Sequence, residues 1–163
     1  MRHLTVVFLA SALAYAACAQ LPDRPAAASA ADVRAVADLV AEFDRCAREG
    51  DLETFLSYSV DDVVSLAPDQ SAIVGKEAMR AWYADFYGAF DIDMTHHPGE
   101  TFAYGNVLVH RGNATGTLKP KAGEGDVLPF DNKYMFVLLR TNDGSLKVWR
   151  AAFNANTPPP STE

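Results

Sequence analysis

The sequence predicts an α+β fold, cone-shaped, with three N-terminal helices packed on a curved, mostly antiparallel sheet. Two observations carry this. Apolar stripes at helical spacing fill the first half of the chain, and β-branched and aromatic segments separated by Gly, Pro, Asn and Asp turns fill the second. A sheet that curls around a helix leaves a cone with an open mouth, and such a mouth is a natural place for a pocket.

The chain has 163 residues, enough for one domain. Its start reads as a leader rather than as part of that domain. Met1-Arg2-His3 is basic, and Leu4 to Ala17 is an apolar run interrupted only by Thr5 and Ser11. That is the pattern of a signal-peptide core, too short to span a bilayer comfortably. Residues 1–19 are therefore expected to direct export, to the periplasm or outside the cell. Two processing routes stay open. Ala17-Cys18-Ala19 is a small-x-small cleavage site, whereas Ala16-Ala17-Cys18 has the form of a lipobox that would make Cys18 a lipidated terminus. Tyr15 stands where a lipobox usually carries Leu. In the second case a lipid on Cys18 is the expected membrane contact. Residues 20–31, rich in Ala with Pro22 and Pro25, read as a linker, 32–158 as the domain and 159–163 as a tail.

The net charge is −7 and no basic run occurs, which argues against nucleic acid or an anionic membrane as partner. Of the two cysteines, Cys18 belongs to the leader, which leaves Cys46 alone on an apolar helix face, as a buried small hydrophobe.

The elements follow in order. Ser29-x-x-Asp32 is a capping box, and Val33, Val36, Leu39, Val40, Phe43 and Cys46 recur at helical spacing until Gly50 allows a left-handed cap. Asp51 caps a short second helix with Leu52, Phe55 and Leu56 inward, and Asp61-Asp62 is expected to break it. Val63 to Leu66 is a short strand, Ala67 to Gln70 a turn, and Ile73-Val74 a brief strand ended by Gly75. Lys76 to Phe90 forms the third helix, striped by Met79, Trp82, Tyr83, Phe86 and Phe90. Asp91 to His97 is a strand stopped by Pro98-Gly99. Thr101 to Tyr104 pairs with Val107 to Leu118 across Gly105-Asn106. A long loop over residues 119–131 precedes a hairpin of Lys133 to Arg140 with Leu146 to Asn154, turning at Asn142-Asp143-Gly144.

Several of these segments resemble a family. Gly50-Asp51-Leu52, Leu56-x-Tyr58 and Asp61-Asp62-Val63-Val64 look like the helix–helix–strand joint of SnoaL-like and ketosteroid-isomerase-like proteins, within the nuclear-transport-factor-2-like superfamily. Val74-Gly75-Lys76-Glu77-Ala78 with Trp82-Tyr83 is similar to the start of their third helix. Asp131 to Tyr134, Asp143 to Arg150 and Asn154-x-Asn156 resemble the C-terminal hairpin of a subfamily of unassigned function. The resemblance implies a cone with a small-molecule pocket and a homodimer through the outer sheet face.

An isomerase of this fold needs a carboxylate base and hydrogen-bond donors for the enolate oxygen. The positions that the resemblance assigns to these groups hold Phe43, Ala67 and Phe136. None of the three can donate the bond or take the proton, so ketosteroid-isomerase chemistry is not expected.

Adjacent strand residues face opposite ways, so one of His96 and His97 faces the pocket; the polar candidates are His97, favoured by a small margin, with Asp131 and Arg150 as possible partners. For the pocket wall the candidates are Tyr58, Trp82, Tyr83, Tyr87, His97, Tyr134, Trp149 and Asn154. No motif for a metal or an organic cofactor is present, and neither is expected. Three functions fit these features, in order: an exported pocket protein for a small, largely apolar molecule; a polyketide-cyclase-, isomerase- or hydratase-like enzyme using a pocket histidine; and a protein-interaction module with a closed cone.

Overall fold

The computed structural model describes residues 26–123 and 125–156; the expected leader, Cys18 and the tail lie outside the described residues. Ala26–Ala27 form a short edge strand, β1, inside the span expected as linker. Helix α1 (Ala30–Glu49) starts at the reciprocal box between Ser29 and Asp32 and ends at Gly50, whose φ of 68° is the left-handed conformation that glycine adopts without strain. Asp51 accepts from the Thr54 N–H at 3.2 Å and opens α2 (Leu52–Ser57). Helix α3 spans Lys76–Ala89.

The strands are β2 (Ser59–Leu66), β3 (Ile73–Val74), β4 (Phe90–Tyr104), β5 (Val107–Pro120), β6 (Leu128–Arg140) and β7 (Leu146–Ala155). They form one sheet in the order β1-β4-β5-β6-β7-β2-β3, antiparallel throughout except for the β2–β7 pair. Its concave face closes on α1 over a core of Val36, Leu39, Val40, Leu108, Leu138 and Val148. Among the described residues no helix is long and apolar enough to cross a membrane.

Three local expectations are corrected. Asp61 and Asp62 do not break a helix; α2 has already ended at Ser57, and both aspartates lie within β2. Pro98 does not stop a strand. Among the described residues β1 covers only Phe102 and Ala103, so Pro98 has no partner there on that edge, where its missing N–H costs no ladder bond, and the register slips by one residue before Thr101. The loop before β6 is shorter than expected, because Leu128 to Asn132 already pair with β5.

Candidate active site

A cavity of about 320 Å³ lies between the concave sheet face and the three helices. Helix α3 presents Trp82, Tyr83, Phe86 and Tyr87 to it at helical spacing. The sheet presents the even-numbered residues of β6, Phe130, Asn132, Tyr134 and Phe136, because alternate side chains share a face. Neighbouring rings meet edge-on or stacked, as in Phe55–Tyr83 at 4.5 Å and Tyr134–Phe136 at 4.7 Å between centroids. Among the described residues no Lys or Arg side chain lines the cavity.

One basic group faces this apolar space. His96 lies on β4 in phase with Ile92 and Met94, which also line the cavity. Behind it stands Asp44, a carboxylate on the buried face of α1 that is only 8 % exposed. Asp44 Oδ1 lies 2.6 Å from His96 Nδ1, and Oδ2 accepts from the His96 backbone N–H at 2.9 Å. In the neutral ring a carboxylate in that position fixes the tautomer: Nδ1–H donates to Asp44 and Nε2 carries the lone pair. Nε2 has no hydrogen-bond partner among the described residues. No buried side-chain nitrogen or oxygen there is unpaired, so Nε2 is accessible, on a residue that lines the cavity. The Asn132 amide and the Tyr83 and Tyr87 hydroxyls, on residues that also line the cavity, likewise have no hydrogen-bond partner among the described residues. Burial pushes both tyrosines well above the ordinary phenol value, so they remain protonated donors.

A second histidine is closed off from the cavity. His110 on β5 is 1 % exposed, with Thr101 Oγ1 3.0 Å from Nδ1 and the Tyr134 hydroxyl 3.0 Å from Nε2. Desolvation pulls it down to about 4, so it is neutral at physiological pH.

Of the residues expected in the pocket wall, Trp82, Tyr83, Tyr87 and Tyr134 are there. Tyr58 instead packs behind it, edge-on to Phe43 at 5.9 Å. His97 points to the outer face, its Nε2 2.8 Å from Thr115 Oγ1. Asp131 is also outside, accepting from the Asn156 amide, and Asn154 is exposed and caps the N–H of Ala155. Trp149 and Arg150 both leave the cavity for one reason. The β6–β7 register shifts between Val137 and Leu138, so β7 carries an extra residue, and Val148 and Ala151 face inward around an outward pair. The Trp149 indole donates to Asp62, and the Arg150 guanidinium stacks over it at 4.3 Å while donating to the Asp62 carbonyl.

The sequence reasoning missed Asp44, His96 and Asn132. A signal for each existed: an Asp inside the Val40–Ala47 apolar face, and a His in phase with Ile92 and Met94 rather than with Asp91 and Asp93.

The sequence profile of the SnoaL-like domain matches residues 36–150. The chain belongs to the SnoaL-like domain family. Solved structures agree on the fold of this SnoaL-like domain. A ketosteroid isomerase-like protein from Erwinia carotovora atroseptica is 24% identical with a TM-score of 0.66, covering 77% of this chain and 93% of its own. A candidate scytalone dehydratase from Novosphingobium aromaticivorans is 13% identical with a TM-score of 0.69, covering 78% and 85%. A nuclear transport factor 2-like superfamily protein from Salmonella enterica is 12% identical with a TM-score of 0.70, covering 80% and 95%. No protein of curated function matches in sequence.

Phe43, Ala67 and Phe136 all line the cavity of this SnoaL-like domain, so the positions tested for isomerase groups do face the ligand space and are apolar. Among the described residues no cluster of three His, Cys, Asp or Glu side chains has a metal-binding arrangement. The polar chemistry of the site is concentrated in the Asp44–His96 pair, with Asn132 and two tyrosine hydroxyls around it.

Proposed function

We propose that this SnoaL-like domain is an acid–base enzyme that moves a proton on a small, uncharged, largely apolar substrate. The observation that carries the proposal is the Asp44–His96 pair, with Nε2 presented unpaired to a cavity walled by aromatic rings. A buried carboxylate on Nδ1 steadies the imidazolium that forms when Nε2 takes a proton, and it keeps the ring aimed while the proton is away. The step that fits is removal of a proton from the carbon beside a carbonyl. Nε2 then returns the proton to another carbon or to a departing hydroxyl. The oxygen that gains charge meanwhile needs a donor, and the Asn132 amide and the Tyr83 and Tyr87 hydroxyls are unengaged donors on residues that line the same space. The shared fold of the candidate scytalone dehydratase is compatible with proton chemistry of this class. We further propose that the domain acts after export and as a homodimer; support for these comes from the leader pattern and the family resemblance.

The reading of a binding protein without catalysis shares the cavity and differs in one outcome. β-Tetralone, an uncharged bicyclic aromatic ketone with an acidic carbon beside its carbonyl, is a suitable probe. Incubated with the protein in heavy water, it should acquire deuterium at that carbon faster than in buffer alone. Binding without any acceleration would leave a carrier and remove the enzyme.

A further inference from the structure

The mechanism just proposed leaves one buried titratable group unused. His110 sits between two strands. On the β4 side its Nδ1 meets the hydroxyl of Thr101, its register partner; on the β6 side its Nε2 meets the hydroxyl of Tyr134. Of the two hydroxyls the phenol is the stronger donor and the threonine the better acceptor, so Nδ1 carries the hydrogen and donates to Thr101. Nε2 is then a bare acceptor, and the contact at 3.0 Å requires the Tyr134 hydroxyl to donate into it, away from the cavity.

The same hydroxyl is confined from below. Tyr134 lies across its register partner Gly112, where an added Cβ would come within 2.5 Å of the hydroxyl oxygen. Tyr134 in turn stands edge-on to His96, with ring centroids 4.9 Å apart and planes at 77°, and stacks on Phe136. A ring fixed at its hydroxyl end and along one face has no freedom to turn, and it forms the wall beside His96.

We infer that His110 is a positioning residue for His96: its Nε2 lone pair pins the Tyr134 hydroxyl, and the pinned ring sets the angle at which the His96 imidazole enters the cavity. The effect on rate rests on the acid–base reading of His96, whereas the geometry does not. Thr101, His110 and Tyr134 are thus a relay that holds an orientation rather than one that carries a proton to the ligand. Misplacing a reacting group by even a small distance costs up to about a hundredfold in rate.

The test uses the full chain labelled with nitrogen-15 and long-range proton–nitrogen correlation of the imidazoles. His110 should show the neutral Nδ1–H form at pH 7; the Nε2–H form would overturn the inference, because Tyr134 would then be the acceptor. Tyr134→Phe preserves the ring and removes the pin. It should displace the His96 ring resonances and lower β-tetralone exchange about tenfold with KM little changed. His110→Leu should do the same, and His110→Gln, whose amide oxygen can accept from the hydroxyl, should restore both. Tyr134→Phe decides the matter even where His110→Leu fails to fold. Unchanged His96 resonances in Tyr134→Phe would refute positioning. Displaced resonances with no exchange in the unmodified protein would instead uphold positioning and refute the enzyme.

Discussion

Asp44 grips His96 twice, once at the ring Nδ1 and once at the backbone N–H, using a different carboxylate oxygen for each. The helix thereby fixes where the strand lies and anchors the Nδ1 edge of the imidazole. Asp44→Asn retains the shape but offers an amide donor to one of the two contacts, so Nδ1 loses its acceptor or the backbone N–H does. β-Tetralone exchange should fall by about tenfold or more. Asp44→Ala leaves buried donors unpaired and should in addition cost about 1–3 kcal/mol in urea unfolding. An Asp44→Ala protein with unmodified stability would mean that the pair is not formed.

Acid should weaken the fold through His110. Its folded value is about 4 against an ordinary 6.5, so between those values the unfolded chain binds a proton that the folded chain refuses. The stabilisation is fully present above pH 6.5 and is lost as the pH falls towards 4. By linkage it amounts to about 3 kcal/mol. The thermal midpoint of His110→Gln should therefore drop less steeply than that of the unmodified protein over this range. Parallel curves would show that His110 is not the group.

Two glycines should respond in opposite directions. At Gly112 a Cβ would come within 2.5 Å of the His97 carbonyl oxygen and of the Tyr134 hydroxyl, so Gly112→Ala should cost about 1–3 kcal/mol and displace Tyr134. At Gly88, within α3, a Cβ meets nothing within 4 Å, and Gly88→Ala should add about 0.5–1 kcal/mol. Urea midpoints of the two variants check both.

The two tryptophans report separately on the cavity. Trp82 lines it, stacked on Phe86 at 5.2 Å, and Trp149 lies on the outer face beside Asp62. β-Tetralone should change the fluorescence of Trp149→Phe, in which only Trp82 emits, and leave that of Trp82→Phe unaltered. A response confined to Trp82→Phe would place the ligand on the outer sheet.

The fold was legible because its signals are local. Ser29-x-x-Asp32, Gly50, Asp51 and Gly75 each act within a few residues, and the helical stripes need only a helical period. The site was legible in part. Trp82, Tyr83 and Tyr87 follow from the face of α3, and Tyr134 from a strand whose phase is regular. Trp149 and Arg150 face outward because a bulge in β7 reverses parity, and the alternation of β7 alone does not mark where the extra residue falls. On β4 the inward phase is marked by Ile92 and Met94, and it is His96 rather than His97 that shares it. The pairing of Asp44 with His96 spans residues far apart in the chain, and packing α1 on β4 is what brings them together.

The most direct measurement compares His96→Ala with His97→Ala in the heavy-water exchange of β-tetralone. The two substitutions are adjacent and chemically identical, and only one removes a group from the cavity. Exchange should fall by about a hundredfold or more in His96→Ala and stay at the unmodified rate in His97→Ala. Equal rates in the two variants would contradict the assignment of His96 as the group that moves the proton.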